Sequence, residues 1–214
     1  METIINNWPL IMNGLALTLF VSALVLLIGT VIGVFGGLSL LYGVRPLRWF
    51  VRAYVDIIRG IPLLVLIFAI RYGAPVLGLR MPVIAAAIVA LSIFCGAHIS
   101  EVVRGGIQSI PNGQTDAAKA IGLTFARRLR YVIFPQAIGR VLPPWVNTAV
   151  EIVKASSLVA LVSEIDLLLA TYQIAARTRQ TLLMYGVAAL IYFIINFTIS
   201  QVGQRLEKRF IYAR

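Results

Sequence analysis

The stretch TLLMYGVAALIYFIINFTISQVGQ, residues 181–204, runs for 24 residues without an Asp, Glu, Lys or Arg. About 20 mostly apolar residues in a helix are enough to cross the hydrocarbon core of a bilayer. In water such a segment would need cover on every side. The rest of the chain cannot provide it. Hydrophobic residues make up 60% of the 214 and charged ones 13%, whereas soluble domains are nearer half apolar and a quarter charged. The stretch therefore reads as a membrane span and the fold as all-α and polytopic. The apolar runs are continuous, not alternating, which argues against a transmembrane β-barrel.

Working outward from this span, uncharged runs mark the others. Residues 3–44 carry no charge, more than one span needs. Trp8 and Pro9 suit a surface segment over 3–13. A first helix is expected over 14–42, with Asn13 able to cap its start. A second span is expected over 53–72, with Asp56 and Arg59 near its beginning. A third is expected over 81–105. Between the third and the last, residues 141–150 are uncharged, then Glu151 and Lys154 intervene. Pro143 and Pro144 stand near the start of that run, and a fourth span is expected over 142–162. All 214 residues then form one transmembrane domain of five spans, the last over 181–204.

Charge sets the orientation. With the C-terminus inside, the inner segments 43–59, 104–140 and 205–214 carry four, six and four Lys or Arg, and the outer segments carry Arg71, Arg80, Arg177 and Arg179. This asymmetry favours an N-out, C-in topology. It also accounts for the net charge of +11 without nucleic acid, since no basic stripe with interleaved aromatics is present. Cys95 is the one cysteine and His98 the one histidine. An intramolecular disulfide and a multi-Cys metal site are thereby excluded, and Cys95 beside Gly96 reads as a small packing residue. No cleavable signal peptide is expected, because residues 1–44 hold a single charge, Glu2.

The longest polar connection, residues 109–137, reads SIPNGQTDAAKAIGLTFARRLRYVIFPQA. Pro111-Asn112-Gly113 is a turn signal. A short helix is expected over 115–121, capped by Thr115 or Asn112, with Gly122 as the residue past its end. A second helical run over 124–134 is expected to stop at Pro135. Ala117 and Ala118 allow close approach, and Ile121 and Leu123 form an apolar corner that suits a partner's groove. A solvated amphipathic connector is the other reading of the same residues.

Asp116-Ala117-Ala118, then Gly122, then Val132-x-Phe134-Pro135 resemble the EAA loop of ABC importer permeases in order and spacing. Asp116, Val132 and Phe134 replace the family's Glu, Ile and Leu with charge and apolar character kept. DIIRGIPLLV over 56–65 is similar to the FRGTPLLVQ stretch of the polar amino-acid branch. EVVRGGI over 101–107, IPNGQ over 110–114 and KASSL over 154–158 resemble further motifs of that branch. The likeness covers about residues 18–168. The chain is thus identified as a member of the amino-acid ABC transporter permeases of the histidine/glutamine/arginine type.

That resemblance implies a type I importer permease in the inner (plasma) membrane of a bacterium. Asp116, Ala117, Ala118, Ile121, Gly122 and Leu123 would then belong to coupling helices seated on an ATP-hydrolysing subunit. Two copies of that subunit would carry ATP and magnesium, and this chain would bind no cofactor. Its other implied partners are a second permease chain, identical or related, a soluble substrate-binding protein, the amino-acid substrate and membrane lipid.

A charge at bilayer depth costs at least about 2.5–3.5 kcal/mol on insertion scales, so it needs a partner or a polar cavity. Glu151 and Lys154, at i and i+3, share a helix face. Two readings stand, an ion pair between them or a face lining the substrate path. On the second reading, Glu151 accepts an ammonium and Ser156, Ser157 and amides freed at a Pro143-Pro144 break bind a carboxylate. Asn147 belongs to the same candidate face. An acid at 151 points to substrates with a cationic side chain, such as arginine, lysine or histidine. Arg59 is a further candidate for the substrate path, with pairing to Asp56 or to lipid phosphate as its other reading, and Glu101 is expected to pair with Arg104. Glu164, a further substrate-path candidate, lies with Asp166 at the outer rim, where it meets a binding protein, attracts a cationic substrate or is simply solvated.

No P-loop signature occurs in the chain, so nucleotide binding by that motif is excluded. No His pair, Ser-His-Asp set or acidic metal cluster lies in the expected spans, so an enzyme is not expected. A secondary transporter or a membrane enzyme of few spans is the alternative to a permease driven from outside the chain.

Overall fold

The computed structural model describes residues 2–162 and 164–211. Ser163 and the end of the basic tail, with Arg214, lie outside them. The described residues fold as helices, in the order α1 (Glu2–Asn6), α2 (Trp8–Tyr42), α3 (Arg45–Gly60), α4 (Leu63–Val76), α5 (Val83–Gln108), α6 (Asn112–Ala120), α7 (Phe125–Arg128), α8 (Phe134–Ala155), α9 (Leu167–Thr178) and α10 (Thr181–Ile211). A wide, π-type turn over Leu129–Ile133 joins α7 to α8, and α8 tightens into a 3₁₀ stretch over Ser156–Val162.

The centre of the fold is the contact of α2 with α5, and glycine creates it. A Cβ on Gly29 would lie 2.5 Å from Cys95 Sγ, and one on Gly37 would lie 2.7 Å from Val103 Cβ and 2.8 Å from the Ser100 carbonyl oxygen. Gly33 faces Ile99 in the same way. Without side chains there, the two backbones touch. This is how helices associate when lipid removes the hydrophobic drive. Cys95 is fully buried in this seam, the packing role expected of it.

The register of the seam advances together, 29 with 95, 33 with 99, 37 with 103, so α2 and α5 run parallel. Residues 43–82 must therefore bring the chain back across the membrane. They do so in two pieces, not as the helix expected over 53–72. α3 and α4 meet at a bend of 108°. Pro62 is the cause. It lacks an N–H and disfavours the helical conformation at the residue before it, and Ile61 is extended with φ −96° and ψ 132°. Tyr54 Oη donates to the Ile93 carbonyl at 2.7 Å and fixes α3 to α5.

Other boundaries also move. The first helix starts at Trp8, not 14, because Pro9 is tolerated in a first turn; Asn13 lies inside the helix, and Asn7 precedes it. The third span, over 83–108, is close to the expected range. The fourth begins far earlier than 142. Pro143 and Pro144 sit inside a continuous α8, and Pro135 falls in its first turn, where a missing N–H leaves no bond unmade. The wide turn before it absorbs the ring. The last helix extends past 204 to Ile211. α9 was not expected at all. Asp166 caps it, its carboxylate accepting from Leu169 N at 2.8 Å, and Leu167 N donates to Thr18 Oγ1 of α2 at 3.1 Å.

Candidate functional site

The continuity of α8 places Asn147, Glu151 and Lys154 on one face, spaced by four and three residues. All three are exposed, while Thr148, Ala149, Ile152 and Val153 on the opposite side are buried against the bundle. Trp145 anchors that buried side, its Nε1 donating to Thr30 Oγ1 of α2 at 3.0 Å. Among the described residues Glu151 and Lys154 form no ion pair with each other. Their charges face outward from the last two turns of α8, inside the apolar stretch long enough to span a membrane.

Lys154 and Ser157 border a recess of about 310 Å³ closed by Leu168, Tyr185, Ala188 and Tyr192. Asn147 borders a separate one of about 280 Å³ with Pro143, Ser200 and Gln204. Ser157 Oγ donates to the Lys154 carbonyl at 2.7 Å, and its oxygen remains able to accept. Ser156 does not join the face. It is 1% exposed and donates to the Val153 carbonyl at 2.8 Å. No helix break opens at Pro143-Pro144, so the freed amides expected there are absent; between 134 and 162 the backbone departs from α geometry only over Ser156–Val162.

The charges nearer the ends sort differently. Glu101 pairs with Arg104 at 2.5 Å, as its spacing suggests, and also with Arg52 at 2.7 Å. That second partner, 49 residues away, ties α3 to α5 and was invisible in the sequence. Asp56 approaches Arg52 at 3.8 Å instead of Arg59, and Arg59 is exposed at the end of α3. Glu164 is half-buried just before α9.

The connection from 109 to 137 forms a compact platform. α6 ends at Ala120, and Gly122 follows with φ +76°, a conformation glycine adopts at no steric cost. No side chain caps its start; Pro111 holds that place. Ala118 is buried and Leu123 half-buried, turned toward the molecule. Asp116, Ala117, Ile121 and Gly122 face out, with Ile121 77% exposed. Asp116 pairs with Lys119 at 3.0 Å. Phe125 packs edge-on against Tyr42 with centroids 5.2 Å apart, joining the platform to the end of α2.

Among the described residues no group of three His, Cys, Asp or Glu is arranged to hold a metal. The arrangement offers a polar helix face and an apolar surface beside it.

The chain matches the family described as "Binding-protein-dependent transport system inner membrane component" over residues 26–212. It is 36% identical to a probable glutamine ABC transporter permease protein of Bacillus subtilis (strain 168), covering 95% of this chain and 94% of that one. It is 36% identical to the L-cystine transport system permease protein of the same organism, covering 94% and 87%. A solved structure of an amino acid ABC transporter with histidines superposes with a TM-score of 0.91 at 33% identity, covering 97% of each chain.

Proposed function

The chain belongs to the family of binding-protein-dependent transport system inner membrane components, and on that premise we propose that the α8 face is its half of a path for polar amino acids. The chain is a multi-pass permease subunit of an ABC importer; it is not itself an enzyme, and ATP hydrolysis resides in the partner ATPase. That relatives and a structural neighbour are named for glutamine, cystine and histidines supports an amino-acid cargo. They do not agree on one side chain.

One observation carries the path reading. Glu151 and Lys154 are both ionisable, both exposed and, among the described residues, unpaired with each other near the end of α8, within a candidate membrane span. Facing lipid, each would cost at least about 2.5 kcal/mol. A second permease chain, identical or related, placed against this face would enclose it as an aqueous cavity. There Glu151 accepts an ammonium group, and Lys154 with Ser157 draws a carboxylate into the neighbouring recess. A zwitterion has both groups. An extra acid at 151 suits arginine, lysine and histidine.

α6, with Asp116, Ala117, Ile121 and Gly122 outward, is the surface that docks on the ATPase, which carries ATP and magnesium. Ala118 and Leu123 hold it from behind. A soluble binding protein delivers cargo at the opposite side, which the charge asymmetry makes the outer face of a bacterial inner membrane.

The test is uptake by the reconstituted importer against a panel of amino acids. Glu151→Gln is expected to lower uptake of basic amino acids about tenfold, the value of one charge-assisted hydrogen bond. Equal loss for glutamine would keep the path and remove the basic preference. No loss for any amino acid would remove Glu151 from the path.

A further inference from the structure

Two polar fastenings hold the α5–α6 junction and the first turn of α6 to the base of α8. Arg140 Nη1 donates to the carbonyl of Ser109, the residue that ends α5, and to Ser109 Oγ at 3.1 Å. Gln136 Nε2 donates to Gln114 Oε1, in the first turn of α6, at 3.2 Å. Gln136 and Arg140 are one turn apart on one face of α8. Their partners lie on either side of the start of α6. One such bond would leave a pivot, and two in this arrangement resist both sliding and rolling.

The surroundings stiffen the joint. Ser109 Oγ donates to the Gly106 carbonyl at 2.8 Å. At Gly106 a side chain would strike Val141, so α5 and α8 touch directly. The Arg140 guanidinium meets the C-terminal end of α5, where the helix dipole favours a cation. Beyond Arg140, α8 continues unbroken to Asn147, Glu151 and Lys154; Gln136 and Glu151 are about 22 Å apart along its axis. Below Gln136 lies the wide turn Leu129–Ile133, a looser geometry that recurs at functional sites. Gln136 Nε2 also reaches the Val132 carbonyl within it at 3.0 Å.

We infer that Gln136 and Arg140 are positioning residues that make α6 and α8 one rigid lever, so that a displacement of α6 reaches the Glu151 face. The inference rests on the reading of α6 as the ATPase-docking surface. The wide turn gives at the end where α7 attaches, and the helix above moves as a unit.

The experiment uses the full importer in proteoliposomes and reads amino acid imported per ATP hydrolysed. For Gln136→Ala combined with Arg140→Ala, the ATPase is expected to co-purify in wild-type proportion while that ratio falls about tenfold. Arg140→Lys, which keeps a donor for the Ser109 carbonyl, restores most of it. Uptake and hydrolysis falling in step, with the ratio unchanged, overturns the inference.

A second variant covers failure of the double variant to assemble. Gln114→Cys and Gln136→Cys joined by a short thiol cross-linker are expected to keep at least about half the uptake, since the lever model has the two sites move together. Loss of uptake on cross-linking overturns it. Docking itself is tested separately: Ile121→Asp binding the ATPase as well as wild type does removes the docking reading, whatever the cross-linked protein does.

Discussion

The α2–α5 seam and the outward face of α8 are both helix surfaces at bilayer depth, built on opposite rules. At the seam glycine after glycine removes side chains until backbones touch. On α8 the outward positions are Asn147, Glu151 and Lys154, all exposed, with Asn147 and Lys154 at the edges of open recesses. Fixed contact needs shape, and a small residue makes it. A path needs groups held out of contact with their own chain and ready for something else. The seam holds still so that the face can turn.

Substitution at the seam has the largest expected effect. Gly37→Val puts methyl groups where a Cβ already meets the Ser100 carbonyl at 2.8 Å. Backbone cannot move aside, so a loss of about 3 kcal/mol or more is expected, read as a fall in melting temperature and yield in detergent. Asn147→Val, on the open face, leaves both unchanged. If the two variants melt alike, the contrast is broken. Ile121→Asp comes next. It leaves the melting temperature of the isolated chain unaltered and weakens ATPase binding by about 2 kcal/mol, as for an exposed anchor at an interface; titration of the ATPase onto the purified chain checks it.

Thr30→Val sharpens the boundary between the two surfaces. It removes the acceptor of Trp145 Nε1, which holds the buried side of α8 against α2. A cost of about 1 kcal/mol is expected, seen as a modest melting shift with a change in Trp fluorescence. Arg59→Gln is the smallest. The residue is exposed, and Asp56 approaches Arg52 and not Arg59, so a change within about 0.5 kcal/mol is expected.

The spans over 83–108 and 181–211 were legible because nothing in them competes with apolar continuity. The orientation followed from arginine placement, and the turn at Gly122 from the one residue type that suits its φ. What was not legible depended on contacts across the bundle. The strength of Pro62 and the weakness of Pro143 and Pro144 have one explanation. A proline disfavours helix at the residue before it, and at Ile61 the chain takes the extended alternative; α8 stays helical through Pro143 and Pro144, held by Trp145 and Val146 against α2 and α10. α9 was hidden because a charged flank at Glu164, Asp166, Arg177 and Arg179 looked like a loop. The uncharged run from Leu167 to Ala176, with Asp166 in front of it as a cap, was the signal available.

The candidate face was legible in part. Spacing alone put Glu151 and Lys154 together, but could not distinguish an ion pair from an open pair. Ser156 was misplaced because a one-residue step on a helix turns a side chain by about 100°, enough to bury it. The fastenings of Gln136 and Arg140 join residues 22 and 31 positions apart, a distance over which sequence pattern carries no signal.

The glycine at position 29 has one more effect. It lets Cys95 sit so deep that the sulfur is 0% exposed, and no thiol reagent can reach it without parting α2 from α5. The natural chain thus behaves as a cysteine-free background. A cysteine introduced at 121 or 151 is the one that a fluorophore or spin label will find, and Cys95 need not be removed first.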